Sequence, residues 1–212
     1  MPEILKIENL RLPNEALISK ASSILGSGGV IAYPTETFYG LGADGRNEEA
    51  VRKVFLIKGR NFSNPLSVII GNADDVRGLV EGIPESAFCL IQRFWPGALT
   101  IIFRASPRVS HLLTAGTGKI GIRLSSHPVA TALAKVLGRP ITATSANPSG
   151  RPECTTADQV TEEIGYQVDA IVDGGKTPGG AGSTVIDVTT DPPVILREGI
   201  IPKHQINNHL FL

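Results

Sequence analysis

Between Ala170 and Gly199 three strand-like runs, "AIVDGG", "STVIDVTT" and "PVILREG", follow one another with no helical pattern between them. A parallel neighbour needs a crossover of a dozen or more residues, usually a helix, so some of these strands must pair antiparallel. Upstream the pattern differs. Apolar runs at "VIAYP", "LSVIIG", "ALTIIFRA", "KIGIRL" and "PITATSAN" are interleaved with helical periodicity, though not in strict alternation. Together these features predict an α/β fold: a twisted sheet of mixed parallel and antiparallel strands flanked by helices. The 212 residues suit one domain over 1–212, with its motif-bearing core at about 15–200.

Helix boundaries can be read from caps. Asn14 precedes a face of Leu17, Ala21, Ile24 and Leu25, which Gly26 can end. Asn47 precedes Glu48 and Glu49, which suit a first turn, and the inward face is Val51, Val54 and Phe55. Lys58 falls at the end of that helix, before Gly59. "ADDVRGLV", "ESAFCLIQRFW", "HPVATALAKVLG" and "TTADQVTEEIG" are further helices, the third with Pro128 in its tolerant first turn.

Lys plus Arg equal Asp plus Glu at 20 each, so no basic excess points to nucleic acid, and few aromatics are present to stack bases. Cys89 and Cys154 are far apart and match no metal spacing; they read as isolated thiols of a reducing compartment. The N-terminal "MPEILKIENL" does not resemble a signal peptide, and no apolar stretch nears the roughly 20 residues of a membrane span. A cytoplasmic protein without a membrane association is expected.

Two glycine-rich stretches imitate nucleotide loops. "GLGADG" has the G-x-G-x-x-G spacing, but Thr35 to Tyr39 separate it from the preceding strand and no acidic residue closes a next strand. "AIVDGGKT" resembles a phosphate loop, yet Pro178, Gly179 and Gly180 follow where a helix must open. Neither is expected to bind a nucleotide. The glycines after "VIAYPTETFY" are expected instead to let the chain turn tightly beside a cavity.

The chemistry gathers where strands and helices end in polar groups, and strand ends of open α/β sheets are where ligands bind. Lys58, Arg60, Arg123 and Arg197 can bring four cations to one cavity, which suits a polyphosphate or a carboxylate held by arginine. Ser145, Asn147 and Ser183 supply neutral donors and acceptors that orient a ligand.

Seven stretches in order, "YPTETFYGLGAD", "VFLIKGR" with "NPLS", "WPGALTIIF", "IGIRLSSHPVA", "ITATSANPSG", "STVIDV" and "ILREG", closely resemble the YrdC family of threonylcarbamoyl-AMP synthases. They span residues 27 to 199, and the family's Lys-Arg-Ser-Asn tetrad falls on Lys58, Arg60, Ser145 and Asn147. The resemblance implies that L-threonine, bicarbonate or CO2, and ATP with Mg²⁺ give threonylcarbamoyl-adenylate and pyrophosphate. A downstream threonylcarbamoyl transferase complex would then modify tRNA. It implies a catalytic role for the tetrad, a threonine side formed by Thr35, Arg123, Ser145 and Ser183, and a nucleotide side formed by Lys58, Arg60, Lys119, Asn147, Thr155 and Arg197. No resident protein-held metal is implied.

The sequence departs from the family pattern at three places. Ile69 and Ile70 occupy a region where many members have His; Gly182 stands where many have Glu; Lys119 stands where Thr is usual, which could add a phosphate contact. The end soon after "ILREG" implies the short form, without the extra C-terminal domain of long members. The alternative reading is a module that binds double-stranded or ribosomal RNA without catalysis, a property also linked to the family.

Overall fold

A computed structural model describes residues 1–10 and 13–210. The elements run β1 (Glu3–Lys6), α1 (Glu15–Gly26), β2 (Ile31–Pro34), β3 (Tyr39–Gly42), α2 (Glu48–Lys58), β4 (Val68–Ile69), α3 (Glu85–Phe94), β5 (Leu99–Arg104), α4 (His111–Thr114), β6 (Lys119–Arg123), α5 (Pro128–Leu137), β7 (Ile141–Thr142), β8 (Thr144–Ser145), α6 (Ala157–Ile164), β9 (Ala170–Asp173), β10 (Thr184–Asp187), β11 (Val194–Arg197) and α7 (Lys203–Leu210). The expected α/β class with mixed pairing is what the structure shows. The strands are divided, however, between two sheets where one was expected: a five-stranded sheet ordered β1-β9-β2-β3-β8 and a six-stranded sheet ordered β11-β10-β5-β6-β4-β7.

The three C-terminal runs illustrate the division. β10 and β11 pair antiparallel, as the missing crossover requires, whereas β9 joins the other sheet, parallel to β1 and β2. Strand β2 shows why its run is uniformly apolar. Its neighbours Val30 and Ala32 enter one core with Leu41, Phe55 and Leu99. Ile31 and Tyr33 enter a second core with Ile18, Leu25 and Leu133 from α1 and α5. Alternate residues of a strand point to opposite faces, so a sheet buried on both faces needs apolar groups at every position.

Several local expectations hold. Asn14 Oδ1 accepts from the Ala16 and Leu17 amides at 3.0 and 3.3 Å. Asn47 Oδ1 caps α2 by accepting from Ala50 N at 3.1 Å, and Gly59 ends that helix in the left-handed region at φ 56°. Others need correction. The stretch "ADDVRG" forms a 3-10 helix, not an α-helix. The glycines of "YGLG" do not make a tight turn with positive φ; they lie inside β3, antiparallel to β2. A Cβ at Gly40 would come within 2.9 Å of the Tyr33 ring, and one at Gly42 within 2.7 Å. Their smallness makes room for the buried Tyr33 ring on the facing strand, a close approach that only glycine permits.

The predicted strand "PITATSAN" is in fact two bridges in different sheets: β7 pairs with β4 and β8 pairs with β3. Thr142 sits at the crossing. Its hydroxyl donates to Leu41 O at 2.8 Å and accepts from Ala43 N at 2.9 Å, and its carbonyl accepts from Tyr33 Oη at 2.8 Å. This crossing delivers Ser145 and Asn147 to the space between the two sheets.

Candidate functional site

A cavity of about 800 Å³ opens where the ends of β2, β3, β6, β8, β10 and β11 converge. Thr35, Lys58, Arg60, Arg123, Ser145, Asn147, Ser183 and Arg197 all line it. Eight of the ten positions selected from the sequence are therefore gathered at one place.

Lys58 is buried at the C-terminus of α2, held there by the packing of Val54, Phe55 and Ile57. Its Nζ donates to Ser145 O at 2.7 Å and Asn147 O at 2.8 Å, with Asn147 Oδ1 at 3.2 Å and Ser145 Oγ at 3.4 Å. An ammonium has three protons, and these four oxygens use them all. Burial, and then repulsion from Arg60, pull its pKa down to about 8. Asn147 is equally committed, since its Nδ2 donates to Arg151 O at 2.5 Å. Lys58 is thus a strut fastening α2 to the segment after β8. The sequence, which shows a helix-end lysine, suggests little structural role for it; the structure corrects this.

Arg60 braces the following loop, donating from Nε to Asn64 O at 3.3 Å and from Nη2 to Pro65 O at 2.9 Å. Burial lowers its pKa from the ordinary arginine value. Arg197, at the end of β11, donates to Ser183 O through Nε (3.2 Å) and Nη2 (2.8 Å), and Nη2 also reaches Ser183 Oγ at 3.2 Å. Ser183 Oγ lies 2.8 Å from Thr100 Oγ1. Ser183 and Arg197 are therefore one hydrogen-bonded unit, which couples the residue expected on the threonine side to the one expected on the nucleotide side. Burial lowers the Arg197 pKa, and the nearby Arg123 charge adds to that.

Arg123 closes β6 and is buried, and Glu36 is its ion-pair partner, Nε to Oε1 at 3.7 Å. Among the described residues no hydrogen bond engages its Nη atoms. Thr35 is differently placed. Its hydroxyl donates to Phe38 O at 2.7 Å and accepts from Thr37 N at 3.1 Å, with Thr37 Oγ1 2.9 Å away. One proton serves one strong acceptor, so Thr37 is the donor between the two hydroxyls, and Thr37 Oγ1 keeps its lone pairs in the cavity.

Two selected residues lie elsewhere. Lys119 is at the opposite end of β6 from Arg123, about 13 Å away along an extended strand. It lines a separate cavity of about 430 Å³ with Arg104 and Thr189, and pairs with Asp187 at 2.8 Å. Its expected place on the nucleotide side is not supported. Thr155 is also outside the lining residues; its hydroxyl donates to Gln159 Oε1 at 3.1 Å at the start of α6. Residues that the sequence reading missed include Glu36, Thr37 and Glu153, all in or against the cavity. The first two stand in "TET", in the bend between β2 and β3, where no strand alternation marks which way a side chain faces.

A family model named for Sua5, YciO and YrdC, described as telomere recombination, matches residues 23–199. The chain is 44% identical over 194 residues to the threonylcarbamoyl-AMP synthase of Bacillus subtilis, covering 91% of this chain and 56% of that one. The chain belongs to the Sua5/YciO/YrdC family. Another family member, the Pyrococcus abyssi threonylcarbamoyl-AMP synthase, is 42% identical over 88% of this chain and 55% of its own. The chain thus spans about half the length of these curated relatives. Among solved Sua5/YciO/YrdC structures, P. abyssi Sua5 complexed with L-threonine superposes with a TM-score of 0.94 at 39% identity, covering 98% of this chain and 61% of that one. E. coli YciO gives 0.83 at 29% identity, covering 94% and 96%. Of the departures from the family pattern, Ile69 and Ile70 are buried, Ile69 in the core behind α5. Gly182 lines the cavity, and a Cβ there would meet Arg197 Nη2 at 3.4 Å.

Proposed function

We propose that the chain is an L-threonylcarbamoyladenylate synthase, converting L-threonine, bicarbonate or CO2, and ATP into threonylcarbamoyl-AMP and pyrophosphate. The observation that carries this is a single cavity holding Arg123, with uncommitted Nη atoms, beside the Lys58, Arg60 and Arg197 cations. It suits a carboxylate and a polyphosphate together. The names of its relatives favour this reading over an RNA-binding module.

The chemistry needs no protein nucleophile. The threonine amine captures CO2 as a carbamate, and a carbamate oxygen attacks the α-phosphorus of ATP as pyrophosphate leaves. Arg123 grips the threonine carboxylate through its planar fork, and Ser183 orients the same substrate. Arg60 and Arg197 face the charge that spreads over the phosphoryl oxygens, and fixed cations stabilise such charge without reorganising. Lys58 acts mainly by holding Ser145 and Asn147 in register. Mg²⁺ enters with the ATP: Glu153 is the carboxylate among the lining residues, and Mg²⁺ is commonly held by substrate phosphates with one or two carboxylates. The adenylate serves a downstream tRNA-modifying transferase, and the setting is the cytoplasm. Among the described residues no helix is long and apolar enough to cross a membrane.

The test is pyrophosphate release by the purified chain. It should require both threonine and bicarbonate. Equal release without threonine would show a plain ATPase and end this reading.

A further inference from the structure

Glu36 lies between two residues that face the cavity, Thr35 and Thr37, but is not itself among the lining residues. Its carboxylate turns to the other side, behind Arg123. There Oε2 accepts from the hydroxyl of Ser125, the second residue after β6. Ser125 is fixed in turn, because its Oγ accepts from His127 N at 3.1 Å and its carbonyl accepts from Thr131 Oγ1 at 2.7 Å. The remaining oxygen, Oε1, faces Arg123 Nε at 3.7 Å, and both atoms are buried with no hydrogen-bond partner. The side chains are only 15% and 8% exposed.

This arrangement has a particular consequence. A guanidinium and a carboxylate usually meet through two parallel hydrogen bonds, which would consume the fork. Here the carboxylate meets the Nε edge, by charge and not by hydrogen bond. The arginine keeps a counter-ion, which a buried cation requires, while its Nη atoms remain available to a ligand. We infer that Glu36 is a positioning residue, which aims the Arg123 Nη edge into the cavity and offsets part of its charge so that a substrate carboxylate is aligned without being over-held. The inference rests on the synthase reading for the identity of that carboxylate.

Glu36→Gln keeps the shape and removes the charge. Displacing a bound group by about 1 Å can cost on the order of a hundredfold in rate. We therefore expect kcat to fall tenfold or more, while the Kd for threonine, by calorimetry, stays equal or tightens because a competing anion is gone. Glu36→Asp, which restores the charge, should recover part of kcat. ATP binding, unchanged in both variants, serves as the measure of folded protein. A kcat within twofold of wild type, or a threonine Kd weakened in step with the rate, overturns the proposal. The nitrogen-15 signal of Arg123 Nε, identified by its loss in Arg123→Lys, gives a readout independent of turnover. It should move in Glu36→Gln, and an unmoved signal overturns the proposal even if the wild-type chain shows no threonine-dependent turnover, a result that by itself would count only against the synthase reading.

Discussion

At Lys58 every ammonium proton has an oxygen of Ser145 or Asn147 within 3.4 Å. At Arg123, in the same cavity, the Nη atoms have no hydrogen-bond partner among the described residues and Nε faces a carboxylate across 3.7 Å. Both cations are buried, so burial alone does not tell what a charged side chain is for. The number of donors already spent does. A saturated cation holds the protein together, and an unsaturated one waits for a ligand.

The largest expected effect tests the saturated corner. Lys58→Met keeps the length and removes all donors, leaving buried Asn147 O and Oδ1 unpaired, while Ser145 O keeps the Asn147 amide at 3.0 Å. An unsatisfied buried group costs about 1 to 3 kcal/mol, so urea denaturation should show a loss of about 2 to 4 kcal/mol. Arg123→Lys, which keeps the charge, should change stability by less than about 1 kcal/mol. A reversed ranking would break the comparison.

Binding tests the other corner. Arg123→Lys loses the planar fork, and the two cations are not interchangeable at a bidentate site. Threonine affinity by calorimetric titration should weaken by about 1 to 2 kcal/mol, with ATP affinity nearly unchanged. Arg197→Lys sharpens the point. Since Arg197 holds Ser183, both affinities should suffer; loss of ATP alone would restore a clean division of the cavity.

Acidity gives a smaller signal. Lys58 in the folded chain has a pKa of about 8, below the ordinary 10.5. Between those values the unfolded chain binds more protons, so stability contributed by this site rises as pH rises. Below pH 8 both states carry the proton and the burial cost is fully present. The stability difference between wild type and Lys58→Met should therefore change between pH 8 and 10.5, and be flat from pH 6 to 7.5. The smallest effect is a control: Lys119→Met, which breaks a partly exposed ion pair with Asp187, should cost less than about 1 kcal/mol and leave threonine and ATP binding unaltered.

What the sequence disclosed was local. Asn14 and Asn47 were legible because a cap acts within three residues, and the strands at 99–104 and 119–123 because each carries a short apolar run, "IIF" and "IGI". Strand β1 was not, since its partner β9 is more than 160 residues away and Ile4 remains exposed. Strand β3 reads as a loop because Gly40 and Gly42 carry no strand propensity; their reason is the Tyr33 ring opposite. The site's residue types were legible, and eight of ten meet in one cavity. Their roles were not, because the partners that saturate Lys58 lie 87 and 89 positions along the chain. Lys119 shows the converse: position within a motif selected it, but strand geometry carries it to the far end of β6.

The crossing at Thr142 bears on how the molecule opens. The amide of Thr142 donates to Ala43 O at 2.9 Å, that of Ala143 to Ser67 O at 2.8 Å, and that of Ala146 to Tyr39 O at 2.8 Å. Three amides within the five residues 142–146 thus stitch both sheets to one thread. Neither sheet can fray past this segment without pulling on the other, so the two melt as one cooperative unit. In native-state hydrogen exchange these three amides should report the same free energy, that of global unfolding. The cavity between the sheets would then keep its shape for as long as the chain stays folded at all.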